Sequence, residues 1–216
     1  KVDRPGKVQR NRDTDSWSDM KEGLRYVMEH PRVFALIVLS ILPFLFGMPL
    51  NTLLPAFNQD VLHGHADDLG YLISAMGGGA IIGSLLMATM GDLRNKGFWL
   101  IASCLGWGAV TAVFGAFAVH WAALASIALI GMLSSWNMSL NRGMLQMQVE
   151  DHMRGRIMSI DMMSHGLMPL GVFPISLIAE YYGVGAALVT SGFALIVITV
   201  LVALFMPSVR GTLRAD

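Results

Sequence analysis

Residues Leu69 to Gly97 read LGYLISAMGGGAIIGSLLMATMGDLRNKG. A glycine-rich apolar run extends to Met90 and stops at the polar hinge Gly91-Asp92-Leu93-Arg94-Asn95-Lys96-Gly97. About 20 apolar residues, rising ~1.5 Å each as a helix, are enough to cross the ~30 Å hydrocarbon layer of a bilayer. The run therefore reads as one membrane crossing and the hinge as a tight return on one membrane face. Gly79 and Gly83 stand four apart within it, a spacing that lets a second helix approach closely. No strand precedes these glycines and no Lys-Ser or Lys-Thr follows them, so they form a packing seam rather than a phosphate cradle.

Composition extends that reading to the whole chain. Of 216 residues, 54% are hydrophobic and only 14% charged, and mean hydropathy is +0.57. That is more apolar side chain than a soluble domain of this size could hide. The 15 Lys and Arg balance 15 Asp and Glu, which removes the basic excess that draws nucleic acid to a surface. The single Cys104 lies in an apolar run, where an intrachain disulfide has no second thiol. The polar start at Lys1 shows no basic-then-apolar leader and suggests a fragment of a longer chain.

Around the central hairpin the other elements fall into order. Residues 1–16, rich in charge with Pro, Gly, Asn and Thr, read as a flexible linker. From Trp17 to Pro31 an amphipathic helix is expected to lie in the membrane interface, with Trp17, Met20, Leu24, Val27 and Met28 on one face. Six crossings then fill 32–207. They run from about Val33 to Phe57, Leu69 to Met90, Phe98 to Ala118, Ala122 to Met147, Ile157 to Tyr181 and Gly185 to Met206, and residues 208–216 form a tail. Pro43, Gly47, Pro49 and Pro55 interrupt the first crossing, so a kinked helix inside a bundle is expected. His63 and His65 stand among carboxylates in the following loop, a spacing that could hold a divalent metal, but a solvated loop explains it better and no metal site is expected.

Two crossings carry polar groups where lipid would reject them. On the fourth, Ser134, Asn137, Asn141 and Gln148 share one face, which must point into the bundle or a cavity. On the fifth, Asp161 and His165 stand one helical turn apart. An ionisable group at a helix centre costs roughly 2.5–3.5 kcal/mol on insertion scales, so it needs a partner or a function. Either the pair handles protons or substrate, or Asp161 pairs with a nearby loop arginine and His165 is a packing residue.

The cations check the span count. The segment to Arg32 holds eight Lys and Arg, the hinge two, Arg142 with Arg154 and Arg156 three, and the tail two, which is all 15. The three intervening loops on the other side hold none. By the positive-inside rule both termini, the hinge and the Arg154-Gly155-Arg156 loop are expected in the cytoplasm.

These features resemble the carboxy-terminal half of a major facilitator superfamily transporter. The phrases that carry the resemblance are the Gly-Asp-x-Arg-x-Lys hinge, Glu22-Gly23-Leu24-Arg25-Tyr26-Val27-Met28-Glu29-His30-Pro31, and Gln146-x-x-Val149 followed by Arg154-Gly155-Arg156-Ile157-Met158-Ser159. They are closest to the branch of enterobactin, drug and macrolide exporters. The likeness covers Trp17 to Pro207. The hinge departs from the superfamily pattern at Ala88, Leu93 and Asn95, where glycine, a basic residue and glycine are usual. The resemblance implies an all-α membrane fold of six transmembrane helices forming one half of a transporter. It further implies a cytoplasmic latch of Asp92, Arg94, Lys96, Arg154 and Arg156. A proton or substrate pathway would run through Asp161, His165, Ser134, Asn137 and Asn141. Proton-driven export of a small amphipathic solute from a bacterial inner membrane follows as the expectation, with an amino-terminal six-helix half supplied elsewhere and no cofactor or enzymatic step.

Two other classes fit six spans less well. The membrane domain of an ATP-driven exporter would extend its helices far into the cytoplasm, whereas these loops are short. An intramembrane protease needs a Gly-x-Ser-Gly nucleophile, and Gly78 to Ser84 lacks one.

Overall fold

The structure, a computed structural model, describes residues 15–89 and 95–205. The linker 1–14, the hinge residues Met90 to Arg94 (hence the latch candidates Asp92 and Arg94) and the tail from Met206 lie outside the described residues. Among the described residues every regular element is helical.

Helix α1 (Asp15–Glu29) ends at His30, and Pro31 occupies the first turn of the next helix, where a missing N–H is harmless. The first crossing, Pro31–Asp60, has three parts: α2 (Pro31–Leu42), a π-helical turn at Pro43–Gly47, and α3 (Pro49–Asp60). The others are α4 (Ala66–Thr89), α5 (Lys96–Ala116), α6 (His120–Gln148) and α9 (Val184–Phe205). Between α6 and α9 the fifth crossing is α7 (Arg154–Ser164), a 3₁₀ turn at His165–Leu167, and α8 (Met168–Tyr182). Six helices or helix pairs are thus long and apolar enough to cross a membrane. Arg154-Gly155-Arg156, expected in a loop, forms the first turn of α7.

Helix α6 is the hub, packing on α4, α5 and α2, while α9 packs on α5 and α8. Glycine makes these contacts possible. A Cβ on Gly79 would strike Ala128 O and one on Gly131 would strike Met76 O, so α4 and α6 touch backbone to backbone. One turn on, Gly83 sits against Met132, and Trp136 Nε1 donates to Gly83 O at 2.7 Å. Helices α5 and α9 repeat the device, with Gly115 and Gly185 each facing the other's carbonyl. Gly77 and Gly78 meet nothing within 4 Å. The seam is therefore narrower than the glycine run.

Burial separates the inner helix from the outer ones. Seven residues of α2, from Val33 to Leu42, are buried, whereas α4 buries only Leu72, Gly79 and Gly83. Its Tyr71, Ile73, Ile81, Ile82, Leu85 and Leu86 are exposed. In water such a surface would drive aggregation, but in lipid it is the expected exterior. Helix α1 docks on α7 with Gly23, against Ile160, and Val27 buried, while Leu24 and Met28 stay exposed. Arg156 reaches Glu22 of α1 at 2.9 Å.

Candidate functional site

The π turn at Pro43–Gly47 shapes the site. Pro43 and Pro49 have no N–H to donate, so the regular ladder cannot run through 43–49, and Met48 N instead reaches Pro43 O at 2.9 Å. The loosened backbone is used by its neighbours. Ser191 Oγ on α9 donates to Phe46 O, Gly171 on α8 fits against Leu45 O, and Gly47 leaves room for the Trp107 ring of α5. Phe44 meets the His165 ring, with centroids 3.9 Å apart.

Beside this turn lies a small cavity of about 10 Å³, space for about one water. Asp161, His165, Asn137, Asn141, Ser40 and Arg142 line it together with Trp107 and Phe44. Asp161, only 1% exposed, accepts a 2.6 Å hydrogen bond from Ser40 Oγ. Among the described residues it forms no ion pair. Arg154 instead pairs with Asp151 and donates to Gln146 O, and Arg156 is taken by Glu22. His165 does not face the carboxylate either. Its Nδ1 lies 3.1 Å from the backbone O of Asp161, the ordinary i,i+4 geometry of a polar side chain turned back on its helix.

The polar stripe of α6 divides by depth. Asn137, buried, donates to Ser103 Oγ at 3.1 Å and Cys104 Sγ at 2.9 Å on α5. Asn141, also buried, donates to Leu36 O on α2 at 3.0 Å. Among the described residues, Ser134 bonds Gly131 O of its own helix and Gln148 Oε1 is buried without a partner. Of the five other buried side-chain atoms without partners among the described residues, two, Asn141 Oδ1 and Trp107 Nε1, belong to residues that line the cavity. Of the described latch candidates, Lys96 Nζ approaches Met147 Sδ at 3.5 Å, which brings the hinge end of α5 to the end of α6.

Ser40 and Trp107 were not singled out by sequence. Ser40 did leave a signal, as the one hydroxyl in the apolar run from Val33 to Leu42.

A family model described as transmembrane secretion effector matches residues 8–212. The chain belongs to the transmembrane secretion effector family of the major facilitator superfamily. Its six crossings are therefore one half of a major facilitator fold, it is a transporter chain rather than an enzyme, and its membrane is crossed many times. Among similar proteins of this superfamily is the staphyloferrin A transporter of Staphylococcus aureus, 27% identical over 87% of this chain and 47% of that protein. Macrolide efflux protein A of Streptococcus pyogenes is 23% identical over 84% of this chain and 46% of its own length. The enterobactin exporter EntS of Shigella boydii is 29% identical over 62% of this chain and 32% of its own. The chain spans about half the length of the first two relatives. No solved structure gives a significant match.

Proposed function

We propose that this chain is the carboxy-terminal half of a proton-coupled exporter of a small amphipathic solute, such as a siderophore or a drug. Two six-helix halves rock about a midplane cavity and expose it to each side of a bacterial inner membrane in turn. Both termini, the 90–95 hinge and the α6–α7 loop lie in the cytoplasm, where all 15 cations are spared translocation. Residues 17–31 lie along that face, and Asp92, Arg94, Lys96, Arg154 and Arg156 latch helices there.

The observation that supports the coupling role best is the carboxyl of Asp161. It is buried inside a membrane-spanning helix, held by one hydroxyl and set beside a water-sized cavity. In this reading, gaining or losing a proton there changes how well the surroundings fit the carboxyl. Asn137 and Asn141 supply neutral hydrogen-bonding groups at the cavity and His165 lines it with them, while Ser134 lies further along the same face of α6.

The test uses the complete transporter in proteoliposomes with an imposed pH gradient. Asp161→Asn keeps shape and hydrogen bonding but cannot release a proton. It is expected to lower gradient-driven efflux at least tenfold while leaving solute binding in place. Unchanged gradient-driven efflux removes Asp161 from the coupling step.

A further inference from the structure

Arg142 is the cation in the described structure whose setting the proposed function leaves unexplained. It lies four residues beyond Met138 on α6 and lines the same cavity as Asp161, His165 and Ser40. Among the described residues it makes no hydrogen bond and no ion pair. A guanidinium keeps its charge at any accessible pH, and an unpaired charge in a half-buried site is unfavourable until an anion reaches it. The one carboxylate lining that cavity is Asp161.

We propose that Arg142 is a positioning residue for Asp161. It is the countercharge that the carboxylate takes up when its proton leaves, so that proton release draws α6 and α7 together and proton uptake lets them part. The inference rests on the exporter reading and deepens it.

The placement supports this in three ways. Asn141, adjacent to Arg142, donates to Leu36 O, and Asp161 accepts from Ser40 four residues further along α2. Helices α6 and α7 thus bond to successive turns of α2, and Arg142 and Asp161 line one cavity beside it. That space is large enough for about one water and small enough to be closed by a rotamer change. Trp107 Nε1 and Asn141 Oδ1, both without partners, are free to rearrange as it closes.

Among the described residues, Arg142 is the Lys or Arg that lines this cavity. Of the elements around Asp161, the 3₁₀ turn brings His165, whose Nδ1 is turned to a backbone carbonyl and whose ring packs on Phe44. At this cavity α2 and α5 contribute only the uncharged Ser40 and Trp107. Glu22 of α1 pairs with Arg156 near the start of α7, and neither residue lines the cavity.

The test is a static titration of the complete transporter reconstituted in liposomes. The carboxylic acid C=O stretch, assigned by its loss in Asp161→Asn, is followed by infrared difference spectroscopy against pH. Removing a nearby positive charge makes the ionised carboxylate less favourable and raises its midpoint. Arg142→Gln is expected to raise it by about one pH unit or more, a tenfold tighter hold on the proton. Arg142→Lys, which keeps the charge, is expected to stay within about half a unit of the parent. Should Arg142→Gln fail to fold, Arg142→Met, which keeps the apolar stem, carries the same expectation. An unchanged or lowered midpoint in the neutral variants overturns the proposal. So does a midpoint for Arg142→Lys that matches theirs, or an Asp161 band that never titrates. Because no transport is measured, failure of gradient-driven efflux bears on the exporter reading alone.

Discussion

At the scale of single residues, the account turns on positions where one atom decides the outcome. The Ser40 hydroxyl is the hydrogen-bond donor found on the Asp161 carboxyl. Ser40→Ala should destabilise the fold by about 1–3 kcal/mol by leaving a buried carboxyl short of a partner and, in the proposed exporter, shift the pH dependence of efflux. Thermal unfolding in detergent and a pH series of transport check the two parts. Gly183 joins α8 to α9 with φ +89° and ψ 157°, a region almost closed to side chains. Gly183→Ala is expected to cost about 1–3 kcal/mol even though no neighbour lies within 4 Å, so the penalty is conformational and not steric crowding by other residues. Asn95 shows the converse. The superfamily pattern favours glycine there, and the structure gives it φ +67°, a left-handed turn that asparagine tolerates better than most residues.

At the scale of elements, the glycine seams make the sharpest claims. Gly79 and Gly131 bring α4 and α6 into backbone contact, so Gly79→Val must push the helices apart. Its expected cost is about 1–3 kcal/mol or more, read as a loss of thermal stability in detergent. Gly78→Val, one residue away and facing open space, should be nearly silent in the same assay. The sequence carried much of this level. Apolar length marked each crossing to within a few residues, since hydrocarbon thickness sets a minimum that composition reveals directly. It marked the prolines of the first crossing as a kink but not the π turn they produce, because which carbonyl finds a new donor depends on Ser191 and Gly171, more than a hundred residues away. The site was legible in the same uneven way. Asp161, Asn137 and Asn141 announced themselves as polar groups in apolar runs. Ser40 and Trp107 join them only through helix packing, and the side-chain pairing of Asp161 with His165 that i,i+4 spacing invites gives way to a backbone contact.

At the scale of the whole molecule, one arrangement of six crossings accounts for hydropathy, charge and contacts together. Three contacts tie cation-bearing ends to one side: Lys96 to Met147, Arg154 to Gln146 and Arg156 to Glu22. Residues 61–65, 117–119 and 183 connect the helices at the opposite side, and they hold no Lys or Arg. Exposed apolar faces on α4 and α8 leave surface for lipid and, in the proposed exporter, for a second six-helix half. The most direct measurement is labelling of single cysteines in intact cells by a membrane-impermeant maleimide, in the complete transporter carrying Cys104→Ala. Cysteine at Ala118 should react from outside, whereas cysteine at Asn95 or Gly155 should react only after the membrane is permeabilised. Labelling of Asn95→Cys or Gly155→Cys in intact cells would contradict the topology and, with it, the exporter reading built on it.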